Sequence, residues 1–227
     1  MFVNRQDAGS QLAEKLISYK KQNPLIISLP RGGVVVGFPI ATVLKIPLEV
    51  VIVRKLGSPQ NPELGIGAVA EDHVVFWDTD MLEILQISNQ DLLPLCEKES
   101  AELERRRLLY RKGKPLPLLT NKTIILVDDG VATGVTTHAA LLSIKKHHPK
   151  KIIFAAPVCS HETVMEIQQM VDKVICLETP ERMESIGRYY ENFDQVTDDE
   201  VVTFLKKAKS SSISETKEYD FSHKIVW

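Results

Sequence analysis

The stretch "IILVDDGVATGVTTHAAL", residues 124–141, decides the reading of this chain. An apolar run stops at two adjacent carboxylates, Asp128 and Asp129, then a turn rich in glycine and threonine leads into an amphipathic segment. That order predicts a buried strand, a tight turn and a helix start, where N-terminal amides gather around anions. Gly130 and Gly134 let the backbone turn tightly and approach a ligand. The amides of Val131, Ala132, Thr133, Gly134, Val135 and Thr136, with the hydroxyls of Thr133 and Thr136, are candidate phosphate donors. The plainer alternative is a helix capped by Thr133 that binds nothing. The acidic pair shifts the balance, because neighbouring carboxylates repel and are costly to leave unpaired. Ligand hydroxyls or a metal would relieve that cost. No G-x-x-x-x-G-K-[ST] is present and no G-x-G-x-x-G joins strand to helix, which excludes the two familiar nucleotide loops. A ligand carrying a vicinal diol and a phosphate fits, and a ribose 5-phosphate group has that layout.

Outward from this stretch, apolar strands alternate with helical segments. "PLIISLP" (24–30) reads as a buried strand, 31–45 as a glycine-led helix, and "PLEVVIVRKL" (47–56) as one further strand ending in two cations. A long loop is expected over 57–67 and two short antiparallel strands over 67–77. Ser88 and Asp91 form a capping-box pattern that opens a charged helix to about Lys112, with Pro94 in its first turns. Strand, helix and strand then repeat from 122 to 178, which predicts right-handed βαβ units and a parallel sheet covered on both faces. A short helix is expected near 198–208 and a polar, flexible tail over 209–227.

The chain has 227 residues, a net charge of −2 and 44% hydrophobic residues, as expected for one globular domain without a nucleic-acid surface. No apolar run reaches the ~18 residues that span a bilayer, and the polar N-terminus predicts no signal peptide. Cys96, Cys159 and Cys176 are scattered, suit a reducing cytoplasm and are read as thiols, with Cys159 and Cys176 buried. Two further turns are candidate sites. Arg31, Gly32 and Gly33 supply charge and bare amides at a helix start. Arg54 and Lys55 are adjacent cations expected to repel each other until an anion arrives. Glu63, in the following loop, is a candidate magnesium ligand or loop clamp, though a solvated role is the plainer reading. Tyr189, Tyr190 and Phe193 offer faces that stack on a base, or ordinary packing. The "ERRR" run at 104–107 reads as a solvated helix face paired with glutamates.

"TIILVDDGVATGVT" resembles the signature of the type I phosphoribosyltransferases. "FVNRQDAGSQLA", "LPRGGVVVG", "VRKLGSPQNPELGIGAVAE" and "TPERMESIGRYYENFDQVTDDEV" extend the similarity, over about residues 2–205, to a bacterial group of predicted phosphoribosyltransferases without a settled acceptor. The resemblance implies an α/β fold, an open, mostly parallel twisted sheet with helices on both faces. It implies a single domain over 1–208, with a core at about 20–178 and a small hood built from about 1–12 and 178–208. It further implies that Asp128 and Asp129 hold the ribose hydroxyls of 5-phosphoribosyl-1-pyrophosphate and that Ala132 to Thr136 hold the 5-phosphate. Arg31, Gly32 and Gly33 would bind pyrophosphate, with Arg54 and Lys55 catalytic beside the acidic pair under a mobile loop. Mg²⁺ would be held mainly by the ligand, with Asp128 and Asp129 as its candidate protein ligands. A nitrogenous acceptor, a place in nucleotide salvage and a homodimer are implied as well. Where the 6-oxopurine enzymes carry an aspartate before T-G-x-T, this chain has Ala132, which argues against hypoxanthine or guanine. A non-catalytic phosphoribosyl-ligand-binding regulator on the same fold is the alternative, and a hydrolase using water as the nucleophile a third.

Overall fold

Five apolar runs pair as parallel strands: β1 (Pro24–Ser28), β2 (Leu48–Val50), β6 (Thr123–Val127), β7 (Lys151–Val158) and β8 (Lys173–Glu178), in the order β2-β1-β6-β7-β8. The computed structural model describes residues 1–62 and 64–216, without the side chains of Asn89 and residues 211–216. Strand periodicity sends alternate residues to opposite faces. Ile26, Ile125 and Ile153 enter the core built with α1 (Arg5–Leu16), α2 (Gly32–Leu44), α4 (Asn89–Arg111) and α7 (Asp198–Thr216). Ile27, Leu126 and Phe154 enter the second core, with α5 (Val135–Lys145) and α6 (His161–Ile167). Both faces are thus covered, which is why these strands read as unbroken apolar runs.

The expected strand over 47–56 is two strands in two sheets. β2 ends at Val50, and β3 (Val53–Gly57) joins β4 (Gly65–Ala70) and β5 (Val74–Trp77) in an antiparallel sheet. The switch happens where the Ile52 amide leaves the ladder and donates to the Glu71 carboxylate at 2.7 Å. An all-apolar run gives no sign of this, because either sheet would bury it. One face of the antiparallel sheet packs on α5 and the other on α4. The expected long loop is correspondingly shorter. Ser58 and Leu64 close it with an amide-to-carbonyl bond of 2.8 Å, and the roles considered for Glu63 lie outside the described residues.

A short α3 (Thr79–Ile84) precedes α4. At the start of α4, Asp91 accepts from the Ser88 amide at 3.2 Å and hydroxyl at 2.6 Å. Pro94 is accommodated inside that helix. α7 runs past the expected end at 208, because Val201, Leu205 and Ala208 form a buried stripe that carries the helix into the serine run. The tail beyond Thr216 lies outside the described residues.

The reading of the cysteines is corrected as well. Cys159 and Cys176, read as separate thiols, form a disulfide with Cα atoms 6.3 Å apart, joining the end of β7 to the edge strand β8. Parallel pairing of two strands 17 residues apart in sequence brings them together, which the scattered spacing concealed. In protein purified without reductant, mass spectrometry should show Cys96 alone alkylated, and slowly, since burial raises its thiol pKa. Cys159 and Cys176 should label only after reduction; labelling of both before reduction contradicts the pairing.

Candidate functional site

The chain winds outward from β1 to β2 on one side and from β6 to β8 on the other, so its direction reverses between β1 and β6. Ligands of open α/β sheets sit beyond the carboxyl ends of strands at that reversal. The two turns singled out in the sequence follow these two strands. The Leu29 amide donates to the Val127 carbonyl at 2.9 Å, extending the pairing past the ladder. A Cβ on Gly33 would lie 2.7 Å from the Val127 oxygen, and one on Gly32 would collide with the Asp129 carboxylate. The glycines are thus needed so that the Pro30–Gly33 turn can lie against the acidic pair. Arg31 stands at the start of α2, its guanidinium 4.0 Å from Asp198 at the start of α7.

The acidic pair is only partly relieved. Asp128 accepts the Asp129 amide at 2.9 Å. The Asp129 carboxylate accepts from Arg5 Nε at 2.6 Å, and its carbonyl accepts the Tyr190 hydroxyl at 2.6 Å. Among the described residues no salt bridge reaches the Asp128 carboxylate, and Arg5 acts on it only at a distance. Burial first, and the Asp129 charge second, raise its pKa well above the ordinary carboxylate range. The Asp129 charge thus acts on Asp128 as inferred from sequence, and the chain itself supplies Arg5 as a partner for Asp129.

The turn after Asp129 is arranged with its carbonyls facing out. The Ala132 carbonyl accepts from Ser160 Oγ at 2.9 Å and Thr163 Oγ1 at 2.6 Å, while the Gly134 carbonyl meets His138 Nδ1 at 2.9 Å. Val131 spends its amide on the Val158 carbonyl at 2.9 Å, so it is not a phosphate donor as expected. Among the described residues the amides of Ala132, Thr133 and Gly134 meet no acceptor. Gly134, not Thr133, is the N-cap of α5; it has φ 74 and no side chain caps the helix. The first-turn amides, including those of Val135 and Thr136, therefore stay open toward an anion.

A sequence profile of the phosphoribosyl transferase domain matches residues 4–191. This chain belongs to the phosphoribosyl transferase family. Two Mycobacterium tuberculosis proteins, from strains CDC 1551 and H37Rv and named provisionally as phosphoribosyl transferases, are 38% identical over 208 residues, 92% of this chain. The match spans 47% of their length, so this chain is about half as long as those relatives. The crystal structure of TT1426 from Thermus thermophilus superposes with a TM-score of 0.72 at 36% identity, covering 91% of this chain and 98% of that one.

Within this phosphoribosyl transferase fold, the expected cation pair is not brought together. Arg54 and Lys55 are successive residues of one strand and point to opposite faces. Arg54 turns to α4 and donates to Glu99 at 2.8 Å. Lys55 turns toward α5, and a Cβ on Gly65 would lie 3.2 Å from Lys55 Cδ and 3.3 Å from Val135 Cγ2. The repulsion expected of adjacent cations therefore does not arise. Tyr190 is buried, with ring contacts to Phe2 at 5.4 Å and Phe193 at 4.9 Å, and Tyr189 is half-buried. The Tyr190 ring is packing; its hydroxyl is what reaches the site. Arg105 and Arg107 pair with Glu102 and Glu104 at 2.6 Å, as the helix-face reading expects, and Arg105 also reaches Asp198 at 2.8 Å. Sequence reasoning did not find the contact of Arg5 with Asp129, and missed the support of the phosphate turn by Ser160, Thr163 and His138. Ser160 and Thr163 were legible only as a cap for α6. A cavity of about 590 Å³ between the β4–β5 turn and α4, lined in part by Glu104 and Arg107, lies apart from the acidic pair and the phosphate turn.

The state of Asp128 and the shape of the turn can each be tested. The raised pKa of Asp128 means that its favourable contribution is present at low pH and lost as pH rises through the folded value. Asp128→Asn should therefore raise the thermal midpoint at pH 8 and change it less at pH 5; an equal or reversed difference contradicts the assignment. Gly134→Ala should destabilise by at least about 1 kcal/mol in urea titration, since it forces a side chain into the left-handed region. Its Cβ would also stand 2.7 Å from Thr163 Cγ2.

Proposed function

We propose that the protein transfers the 5-phosphoribosyl group of 5-phosphoribosyl-1-pyrophosphate to a nitrogen nucleophile and releases pyrophosphate. The observation that carries this reading is the joining, at one reversal of the sheet, of an acidic pair to a turn whose amides are open. A diol donates to carboxylates and a phosphate accepts from amides, so the two halves suit opposite ends of one ligand. The Gly32–Gly33 turn, pressed against Asp129, is where the pyrophosphate would lie, with the Arg31 guanidinium as its countercharge. Lys55, on the α5 side, approaches from the antiparallel sheet; Arg54 acts as an anchor of that sheet to α4.

No group of three or more His, Cys, Asp or Glu side chains suited to a metal occurs among the described residues. Two hard carboxylates alone suit a magnesium ion that takes its other oxygens from ligand and water. Asp128 and Asp129 would hold Mg²⁺, which supplies neutralisation of the leaving pyrophosphate when bound. The chain's own residues then work by position and charge. Asp129 orients the ribose, the amides of Ala132 to Thr136 fix its 5-phosphate, and the acidic pair faces the positive charge that grows on the ring. Ala132 leaves the purine-contacting position of 6-oxopurine enzymes without a carboxylate, which favours another nitrogenous base as acceptor. We read the protein as a cytoplasmic enzyme of nucleotide salvage acting as a homodimer on small molecules; no described helix is long and apolar enough to cross a membrane.

The deciding experiment measures pyrophosphate release with 5-phosphoribosyl-1-pyrophosphate, Mg²⁺ and a panel of bases. Turnover with at least one base is expected, together with loss of activity on removal of Mg²⁺ by chelation. Tight binding of the donor without turnover on any base would replace the enzyme reading with a ligand-binding regulator. Asp129→Asn should weaken donor binding about tenfold or more, the range for a lost charged hydrogen bond. Lys55→Ala should lower kcat more than Arg54→Ala does.

A further inference from the structure

Among the described residues, the hydrogen bonds from the hood to the acidic pair all fall on Asp129. The Phe2 amide donates to Tyr189 at 2.8 Å, and the Glu191 and Asn192 amides donate to Phe2 and Val3 at 2.8 and 3.0 Å. The start of the chain and residues 189–192 are therefore tied together by backbone bonds. Two side chains leave this assembly for the site, and both end on Asp129: the Tyr190 hydroxyl on its carbonyl and Arg5 Nε on its carboxylate, each at 2.6 Å. Arg5 is held from two further sides. Its Nη1 donates to the Asp194 carbonyl at 2.8 Å, and its guanidinium lies 3.8 Å over the Phe193 ring.

Helix α1 does not need this cation. Arg5 is its first residue, where positive charge opposes the helix dipole, and Asn4 and Asp7 already supply the cap and the first-turn acid. The side chains of Arg5 and Asp129 are 11% and 16% exposed, so both lose most of their hydration to make the bond. The reason for the contact therefore lies at Asp129. Arg5 engages Oδ2. A carboxylate offers about four lone-pair positions, so one guanidinium N–H fixes its rotation without exhausting its capacity to accept a hydroxyl. The planar guanidinium, stacked on a ring and fastened to a carbonyl, is a rigid reference for that orientation.

We infer that Arg5 is a positioning residue of the phosphoribosyl site, which fixes the Asp129 carboxylate to accept the ribose diol and ties that orientation to the seating of the hood. This rests on the diol role proposed for Asp129. The same contact would have opposite consequences if Arg5 merely occupied the diol's place, or merely held the hood on.

Calorimetry on the full chain, with ribose 5-phosphate and inorganic phosphate as probes, separates these cases. Wild-type protein should bind ribose 5-phosphate at least about tenfold tighter than phosphate, and Asp129→Asn should abolish most of the difference. If wild type shows no preference, the diol reading itself fails and takes the inference with it, whatever Arg5 variants do. Given the preference, Arg5→Ala should lose about tenfold in ribose 5-phosphate affinity and leave phosphate affinity within about twofold. Arg5→Lys should recover part of the loss. In an Asp129→Asn background, Arg5→Ala should have no further effect, the signature of a contact that acts through that carboxylate. Tyr190→Phe, which frees the hood without touching the carboxylate, should be milder than Arg5→Ala. Tighter binding by Arg5→Ala overturns the inference, because Arg5 would then be a competitor. Equal weakening of both probes, with Tyr190→Phe matching Arg5→Ala, overturns it in favour of a structural tie, and unchanged affinity overturns it outright.

Discussion

The pairing of β1 with β6 is the constraint on which the rest of the site depends. These two strands follow one another in space but not in sequence: Pro24 to Ser28 lie against Thr123 to Val127, with the three strands of the other sheet and the long helix α4 between them in the chain. Because both are buried on both faces, a slip of one residue would send their isoleucines and leucines to the wrong core. Register is therefore firmly held, and with it the relative height of the two turns beyond the strands. The interlock of Gly32 and Gly33 with Val127 and Asp129 follows directly. The positions proposed for the pyrophosphate and the ribose diol are thus set side by side by sheet packing, before any side chain of the site contributes.

Against that fixed frame, the polar groups are left uneven. The Ala132 and Gly134 carbonyls of the 130–136 turn are satisfied by the start of α6 and by His138, while its amides from Ala132 onward stay open. Among the described residues a cation bonds Asp129 and none bonds Asp128, so the pair combines one orienting contact with one group pushed toward its neutral form. Such local costs are the usual mark of a binding site, carried by the stability of two well-packed cores. The hood closes this arrangement from above by gripping Asp129 through both its backbone and its side chain.

Much of the fold was legible because it follows local rules. The unbroken apolar runs 24–28, 123–127 and 151–158 predicted a parallel sheet, and the acidic pair followed by T-G-x-T predicted the turn that ends its central strand. The capping pattern at Ser88 and Asp91 marked α4 in spite of Pro94. What escaped depends on contacts distant in sequence. The break at Ile52 is made by Glu71, and the Cys159–Cys176 bond by the pairing of β7 with β8. Arg54 and Lys55 looked alike as neighbours; which face each occupies is decided by α4 and α5. Arg5 is 124 residues from Asp129, and nothing in its local pattern signals that bond.

In the proposed function, the acidic pair and the open amides grip two ends of one ligand. Amide NMR of the full chain during titration with ribose 5-phosphate tests it most directly. The account predicts that the signals of Ala132 to Thr136 and those of Asp128 and Asp129 move together with one binding curve, whereas inorganic phosphate moves the first group alone. Movement of both groups by phosphate alone, or of neither by ribose 5-phosphate, would contradict it.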